Sequence, residues 1–329
     1  MIDSRAYARA SFLGNPSDGY HGKTLGIIVK NFGAQIVLWE SPELHIEPQQ
    51  ADSSSFRNIY HLQEDVKSTG YNGGIPLIKA TIKRFTDYCD VKNIRLTKNF
   101  TVRYSSSIPR QVGLAGSSAI VIATLKALMQ FYEVVIEPEL LPTIALQVET
   151  NEMGINAGLQ DRVLQCYEGC VHMDFDKEFV ETHNYGKYEP IDTGLLPKFY
   201  LAYKTNLSKV SGKVLNEIKE KFDVGDKHTI ATLRKIADLA DKGKEAILAQ
   251  DYESLGNYID QNFDYRCEIM TINDSNMQMI NAARSCGASA TFTGSGGAII
   301  GMYDDDEMLN RLVFSLKKLD IRVLKPYLT

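Results

Sequence analysis

The hydrophobic and polar positions change rhythm several times along the chain. Near the start, short apolar runs alternate with turn residues: "AYARASFLG", then "NPSDGYHGK", then "TLGIIVKNFG" and "AQIVLWESPE". β-Branched and aromatic residues bounded by Gly, Pro, Asn and Asp predict consecutive strands joined by tight loops. Residues 44–74 are polar and irregular, and "PQQADSSSF" within them reads as an exposed loop. The spacing becomes helical over residues 75–88, "IPLIKATIKRFTDY", with a proline in the first turn. "IRLTKNFTVRYSSSIP" predicts a strand or hairpin arm. Residues 117–132 are apolar almost all round, Lys126 being the main exception, which predicts a buried helix. "PELLPTIALQVETNEM" predicts another helix and "GINAGLQDR" a loop. "CVHMDF" and "FVETHNY" predict a pair of strands.

After Lys187 the pattern changes. "KFYLAYKTN" reads as a strand, and three or four helical segments fill residues 212–286. "GASATFTGSGGAIIGMY" gives two strands around a Gly/Ser turn, followed by a helix from Asp305 and the strand "IRVLKPYL". Strands, then helices, then strands predict an α+β fold with two lobes, residues 1–190 and 191–329. No internal repeat interrupts this plan.

Composition sets limits on function. A chain of 329 residues can bury a proper core in each of two lobes. Its net charge of -5 supplies no excess of Lys and Arg to neutralise a polyphosphate backbone, so no nucleic-acid partner is expected. Cys89, Cys166, Cys170, Cys267 and Cys286 are odd in number and scattered, unlike a secreted disulfide framework. The start, "MIDSRAYARASFLG", lacks the pattern of a signal peptide, and no apolar run reaches the roughly 18 residues of a membrane span. The expectation is a cytoplasmic protein with no membrane partner.

Three loops carry candidate chemistry. In "PRQVGLAGSSA", Gly113, Ala115 and Gly116 remove bulk just before a helix whose first N–H groups are unpaired. That arrangement suits a phosphate, and the Ser117 and Ser118 hydroxyls could donate to it or ligate Mg²⁺. A Ser-capped helix after a Gly turn is the alternative. "ETNEMGINAGLQDRV" holds Glu149, Glu152 and Asp161, which could supply a metal ligand and a general base, or simply solvate a helix end. "TGSGGA" at 293–298 is a second Gly/Ser loop, or a hairpin turn. Two other motifs are set aside. Gly22-Lys23-Thr24 resembles the end of a P-loop, but Ser17 stands where that motif needs Gly and a strand follows where it needs a helix. Cys166, Cys170 and His172 have no second ligand pair at zinc-finger spacing, so they read as core residues. Trp39, Tyr60 and Tyr71 could stack on a base, and the sequence does not choose among them. The acidic run from Asp304 to Glu307 suits a helix N-terminus.

Taken in order, "ARASFLGNPSD", "PRQVGLAGSSA", "ETNEMGINAGLQDRV" and "GASATFTGSGGAII" resemble the four motifs of the GHMP kinases. The resemblance spans residues 8–301. Within the family, "LGNPSDGYHGKTLGIIVKNFGAQIVL", "GLAGSSAIVIA", "GLQDRVLQCYEGCVHMDF", "NFDYR" and "FTGSGGAII" look like the glucuronokinase branch. The resemblance implies an N-terminal α/β lobe with an ATP-binding glycine-rich loop and a ferredoxin-like α+β C-terminal lobe. It also implies phosphorylation of the anomeric hydroxyl of D-glucuronate by ATP with Mg²⁺. A 1-kinase for another sugar and a non-catalytic sugar sensor are the rivals, and a monomer or homodimer is expected.

Carried onto this chain, the family pattern puts ATP on Pro109, Arg110, Gln111, Val112, Gly113, Leu114, Ala115, Gly116, Ser117, Ser118 and Ala119. Ser117, with Ser118 as second choice, and Glu149 would hold Mg²⁺. Asp161 would accept the sugar proton, and Arg9 would keep that carboxylate ionised. Asn15 and Asp18 would bind sugar hydroxyls, and Gly294, Ser295 and Gly296 would line the cleft. Arg162 is the candidate for a uronic acid carboxylate, because it follows Asp161 and can bind bidentately; a salt bridge to Glu149 or Asp18 is its rival role.

Overall fold

The computed structural model describes residues 1–47, 74–205 and 213–328. Among them, ten strands form two sheets: β1 (Ile2–Leu13), β2 (Lys23–Glu40), β3 (His45–Glu47), β4 (Phe100–Ser106), β5 (Cys170–Asp174) and β6 (Lys187–Ile191) in the first, and β7 (Phe199–Lys204), β8 (Thr291–Phe292), β9 (Ala298–Met302) and β10 (Ile321–Leu324) in the second. The first runs β3-β4-β2-β5-β6 with β1 paired along β2, and the second runs β10-β7-β9-β8. This is the two-lobed α+β architecture the sequence predicts, and the first sheet ends before the second begins at Phe199.

The long hairpin of β1 and β2 is the scaffold. β2 is one 18-residue strand where the sequence predicts two, because Gly33 looks like a turn. In the structure Tyr7 pairs with Gly33 and Ala8 with Val29, so Lys30, Asn31 and Phe32 form a bulge while β1 continues past it. The chain end fills the bulge: the Lys30 N–H donates to the Tyr327 carbonyl at 2.7 Å, and Asn31 accepts from the Tyr327 N–H. On its other edge β2 pairs first with β5 and then with β4.

A second misreading has an identifiable cause. "FVETH" belongs to the helix Lys177–His183 and not to a strand, since the Asp176 carboxylate accepts from the Phe179 N–H and caps it. β5 pairs instead with β6 on one edge and with β2 on the other. The helix Gly116–Tyr132 is as buried as its composition implies, with residues from Val121 to Leu125 inaccessible or nearly so. It packs on β1 and β2 and on the helix Gly74–Val91. The helices Lys227–Ala249 and Tyr252–Ile269 also rest on the β1–β2 hairpin, so the two lobes share one continuous core. Phe12 of β1 touches Phe199 of β7 with ring centroids 5.0 Å apart. "GSGG" therefore sits directly beside "PRQVGLAG". The predicted loop around "PQQADSSSF", and Tyr60 and Tyr71 with it, lie outside the described residues. No helix among the described residues is long and apolar enough to cross a membrane.

Candidate active site

The phosphate-loop candidate owes its shape to backbone torsions. Gln111, Gly113 and Ala115 all have positive φ, at 57°, 74° and 61°. Alternating left-handed residues coil the chain tightly and end it on Ala115, whose side chain provides no cap for the helix Gly116–Tyr132. The first N–H groups of that helix are thus left for a ligand. Pro109, Arg110, Gln111, Gly113, Leu114, Ala115, Gly116 and Ser117 line a cavity of about 830 Å³, at the upper end of small-molecule sites.

Three residues expected to line the site do not. Val112, Ser118 and Ala119 are packed into the core, and none lines the cavity. The helix has already begun at Gly116, so positions 118 and 119 fall on its inward face. The Ser118 hydroxyl closes the loop from behind, donating to the Ala115 carbonyl at 3.1 Å.

The Gly/Ser loop after β8 forms the opposite lip. Gly294 and Ser295 line the cavity, whereas Gly296 sits behind them. Gly294 has no room for a side chain: a Cβ there would lie 2.7 Å from the Gly113 carbonyl and 3.1 Å from the Arg9 guanidinium. Arg9 crosses this junction from β1. Its Nη1 donates to the Gly113 carbonyl at 2.7 Å and to the Thr293 carbonyl at 2.8 Å. Its Nε donates to Asp161 Oδ1 at 2.7 Å. One buried guanidinium thereby ties both glycine loops to the candidate base.

Asp161 lies in the first turn of the helix Gln160–Tyr167. Burial raises its pKa, but the charges of Arg9 and Arg162 and the Arg9 hydrogen bond outweigh that and hold it below the ordinary carboxylate range. Glu149, only 1% exposed, comes from a π-helical turn, Val148–Glu152, that extends the helix Leu141–Gln147. The Ser117 hydroxyl donates to Glu149 Oε1 at 2.8 Å. A hydroxyl beside a carboxylate is the hard-oxygen pair that Mg²⁺ accepts when phosphate oxygens complete its shell.

Arg162 takes the rival role. Its Nη2 is bonded to Glu149 Oε2, and its Nη1 donates to the Gly158 carbonyl at 2.7 Å. The guanidinium is 3% exposed and clamps the acidic loop. Asp18 lies on the cavity wall, where Gln160 Nε2 donates to its Oδ1 at 2.8 Å. Gly158 permits this approach, since a Cβ there would be 2.1 Å from Asp18 Oδ2. Burial, and then the nearby Asp161 charge, push the Asp18 carboxyl up to about 7.

Asn15 also lines the cavity, and its Oδ1 accepts from Arg266 Nη1 at 2.8 Å. Arg266 Nη2 donates to the Gly294 carbonyl at 2.7 Å. Asn262, one turn earlier on the same helix, accepts from the Gly14 N–H at 2.8 Å. Sequence reasoning gave Asn262 and Arg266 no role. Their i,i+4 spacing in "NFDYR" was the available signal: two polar residues on one helix face, both buried. The set-aside motifs stay outside the site. Lys23 is ion-paired with Asp241 at 2.6 Å, His172 hydrogen-bonds the same carboxyl at 2.9 Å, and Trp39 lies against Arg103. Asp305 caps the helix Asp306–Lys317 by accepting from the Met308 N–H.

This assembly can bind a polyphosphate between two glycine loops, hold a divalent cation beside them, and present a fixed carboxylate to a hydroxyl. Comparison with known proteins agrees. The GHMP kinases N terminal domain matches residues 76–169, and the GHMP kinases C terminal domain matches residues 244–319. Glucuronokinase 1 of Arabidopsis thaliana is 41% identical over 306 residues, covering 91% of this chain and 84% of that protein. The chain belongs to the GHMP kinases. Probable glucuronokinase 2 of the same plant is 42% identical over 308 residues, with the same coverage of both. Methanococcus jannaschii mevalonate kinase shares the fold of this GHMP kinase, with a TM-score of 0.71 at 19% identity over 100% of this chain and 98% of that one. As a GHMP kinase the chain is a phosphotransferase that uses ATP, for which Mg²⁺ is the usual metal.

Proposed function

We propose that this GHMP kinase transfers the γ-phosphoryl group of ATP to the anomeric hydroxyl of D-glucuronate, giving glucuronate 1-phosphate. The observation that carries the chemistry is the Arg9–Asp161 contact at 2.7 Å, at the point where both glycine loops meet. The choice of sugar is supported by two relatives, at 41% and 42% identity, that are named as glucuronokinases.

Phosphoryl transfer needs positioning and charge stabilisation more than covalent help from the protein. Loop residues Gly113 to Ser117 wrap the triphosphate with backbone N–H groups. Asp161 orients the anomeric hydroxyl, whose oxygen forms the new bond to γ-phosphorus as the bond to the ADP oxygen breaks. The hydroxyl proton passes to the Asp161 carboxylate. An anomeric hydroxyl is more acidic than an ordinary alcohol, so a carboxylate with a lowered pKa remains a competent acceptor. Arg9 keeps Asp161 charged before transfer and stabilises negative charge during it. Ser117 and Glu149 would hold Mg²⁺, which would neutralise charge on the phosphates. Asn15 and Asp18 bind the sugar. The five cysteines are free, which fits a reducing, cytosolic setting.

ADP release measured with glucuronate, galacturonate, glucose, galactose and a heptose tests the reading, with ³¹P NMR to locate the new ester. Glucuronate should be among the best substrates and the phosphate should be at C1. A neutral hexose preferred by tenfold or more overturns the choice of sugar, and no ADP release with any of them overturns the sugar-kinase reading.

A further inference from the structure

A uronic acid differs from its parent hexose by one carboxylate, and a site selective for it must supply a donor for that charge. Arg162 is engaged elsewhere, on Glu149 and the Gly158 carbonyl. Arg266, on the helix Tyr252–Ile269, is a different case. It is 0% exposed and forms no ion pair among the described residues. Its partners are neutral: Asn15 Oδ1, the Gly294 carbonyl and the face of Phe292, 5.2 Å from the ring centroid. Its Nε is buried without a partner. Burial lowers its pKa to about 10, so it is still a cation at neutral pH. An interior cation with no carboxylate in direct contact is costly, and a chain that keeps one beside a binding cavity has a use for its field.

The contact with Asn15 also sets direction. A guanidinium has only donors, so the end of the Asn15 amide that faces Arg266 must be the oxygen. The amide nitrogen is the uncommitted end of a side chain that lines the cavity. The charge balance around that cavity points the same way. The guanidinium groups of Arg9, Arg162 and Arg266, with Arg110 on the cavity wall, stand against the carboxyls of Asp161, Glu149 and Asp18, while Lys219 and Asp223 pair with each other, and Asp18 is about half protonated near pH 7.

We propose that Asn15, oriented and backed by the buried Arg266, recognises the carboxylate of the sugar acid. Asn15 Nδ2 donates to that carboxylate, and Arg266 is a positioning residue that fixes the amide and adds attraction from behind the wall. This rests on the glucuronate reading above but makes a separate claim, that selectivity for a sugar acid lies in the 14–18 loop and not at Arg162.

Steady-state kinetics on Asn15→Asp, Arg266→Met and Arg266→Lys test it. Losing a charge-assisted contact corresponds to roughly a tenfold to hundredfold effect. Asn15→Asp and Arg266→Met should raise the KM for glucuronate by that factor while the KM for ATP moves less than threefold. Arg266→Lys, which keeps the charge, should recover part of the loss. A purely structural role for Arg266 would instead lower kcat and shift both KM values without rescue by Lys, and that pattern overturns the proposal. Should Arg266→Met fail to fold, Asn15→Asp at the cavity wall decides alone: a glucuronate KM within threefold of the parent is also fatal. The same holds if Arg162→Gln, and not Asn15→Asp, raises the sugar KM selectively. A parent enzyme that prefers galacturonate but responds to these variants as stated would overturn the choice of sugar and support the carboxylate site.

Discussion

Asp18 offers the most quantitative test of the site's electrostatics. Folding takes its carboxyl from an ordinary 3.8 to about 7, chiefly through burial and then through the Asp161 charge. Between those values the folded chain holds the proton that the unfolded chain has released. Stability therefore falls as pH rises from about 4 to about 7, and levels off above. Each pH unit of such a rise corresponds to about 1.4 kcal/mol. Asp18 thus costs on the order of 4 kcal/mol at pH 8 and about 1.5 kcal/mol at pH 5. Asn cannot ionise, is nearly the same size, and keeps an oxygen for Gln160 Nε2. The stability of Asp18→Asn relative to the parent should rise by roughly 2–3 kcal/mol from pH 5 to pH 8. Urea unfolding of both proteins at both pH values measures it. A difference that moves by less than about 0.5 kcal/mol would refute the reasoning, since it would mean that Asp18 is solvated or is neutralised by a neighbour.

Other perturbations separate the parts of the site. Gly158→Ala places a Cβ where Asp18 Oδ2 now sits, so the KM for the sugar should rise about tenfold or more, checked by kinetics with the melting temperature as a folding control. Glu149→Gln and Ser117→Ala should each raise the Mg²⁺ concentration needed for half-maximal rate, read from metal titrations at fixed ATP. Glu149→Gln should be the more severe, because it also removes the nearer of the two carboxylates that neutralise the buried Arg162, leaving only Asp161, and lowers the melting temperature. Gly294→Ala forces the two glycine loops apart, and a loss of both activity and thermal stability is expected.

Local patterns made much of the fold legible. The helix Gly116–Tyr132 could be read because it is apolar on every side, and the β1–β2 hairpin because turn residues flank β-branched runs. Errors arose where a local signal was weaker than a tertiary one. Gly33 resembles a turn, yet pairing with β1 on both sides of the 30–32 bulge keeps β2 a single strand. Phe179 and Val180 look like strand residues, yet the Asp176 cap commits them to a helix. The site is harder to read because its contacts are remote: Arg9 reaches Asp161 across 152 positions, and Arg266 reaches Asn15 across 251. No periodicity reports such contacts, and only the order of four motifs brought Arg9 and Asp161 together on paper. Motif order could place Arg162 next to the base, but not decide whether its guanidinium faced a substrate or Glu149. Packing makes that decision, as it also sends Val112, Ser118 and Ala119 inward.

The central claim is that Asp161, held charged by Arg9, takes the proton from the sugar hydroxyl as the phosphoryl group transfers. Single-turnover phosphorylation of glucuronate by Asp161→Asn tests it most directly, because Asn keeps the size of the side chain and removes the acceptor. The rate should fall by roughly a hundredfold to ten-thousandfold, with the affinity for ATP within a few-fold of the parent. A rate within tenfold of the parent would contradict the account.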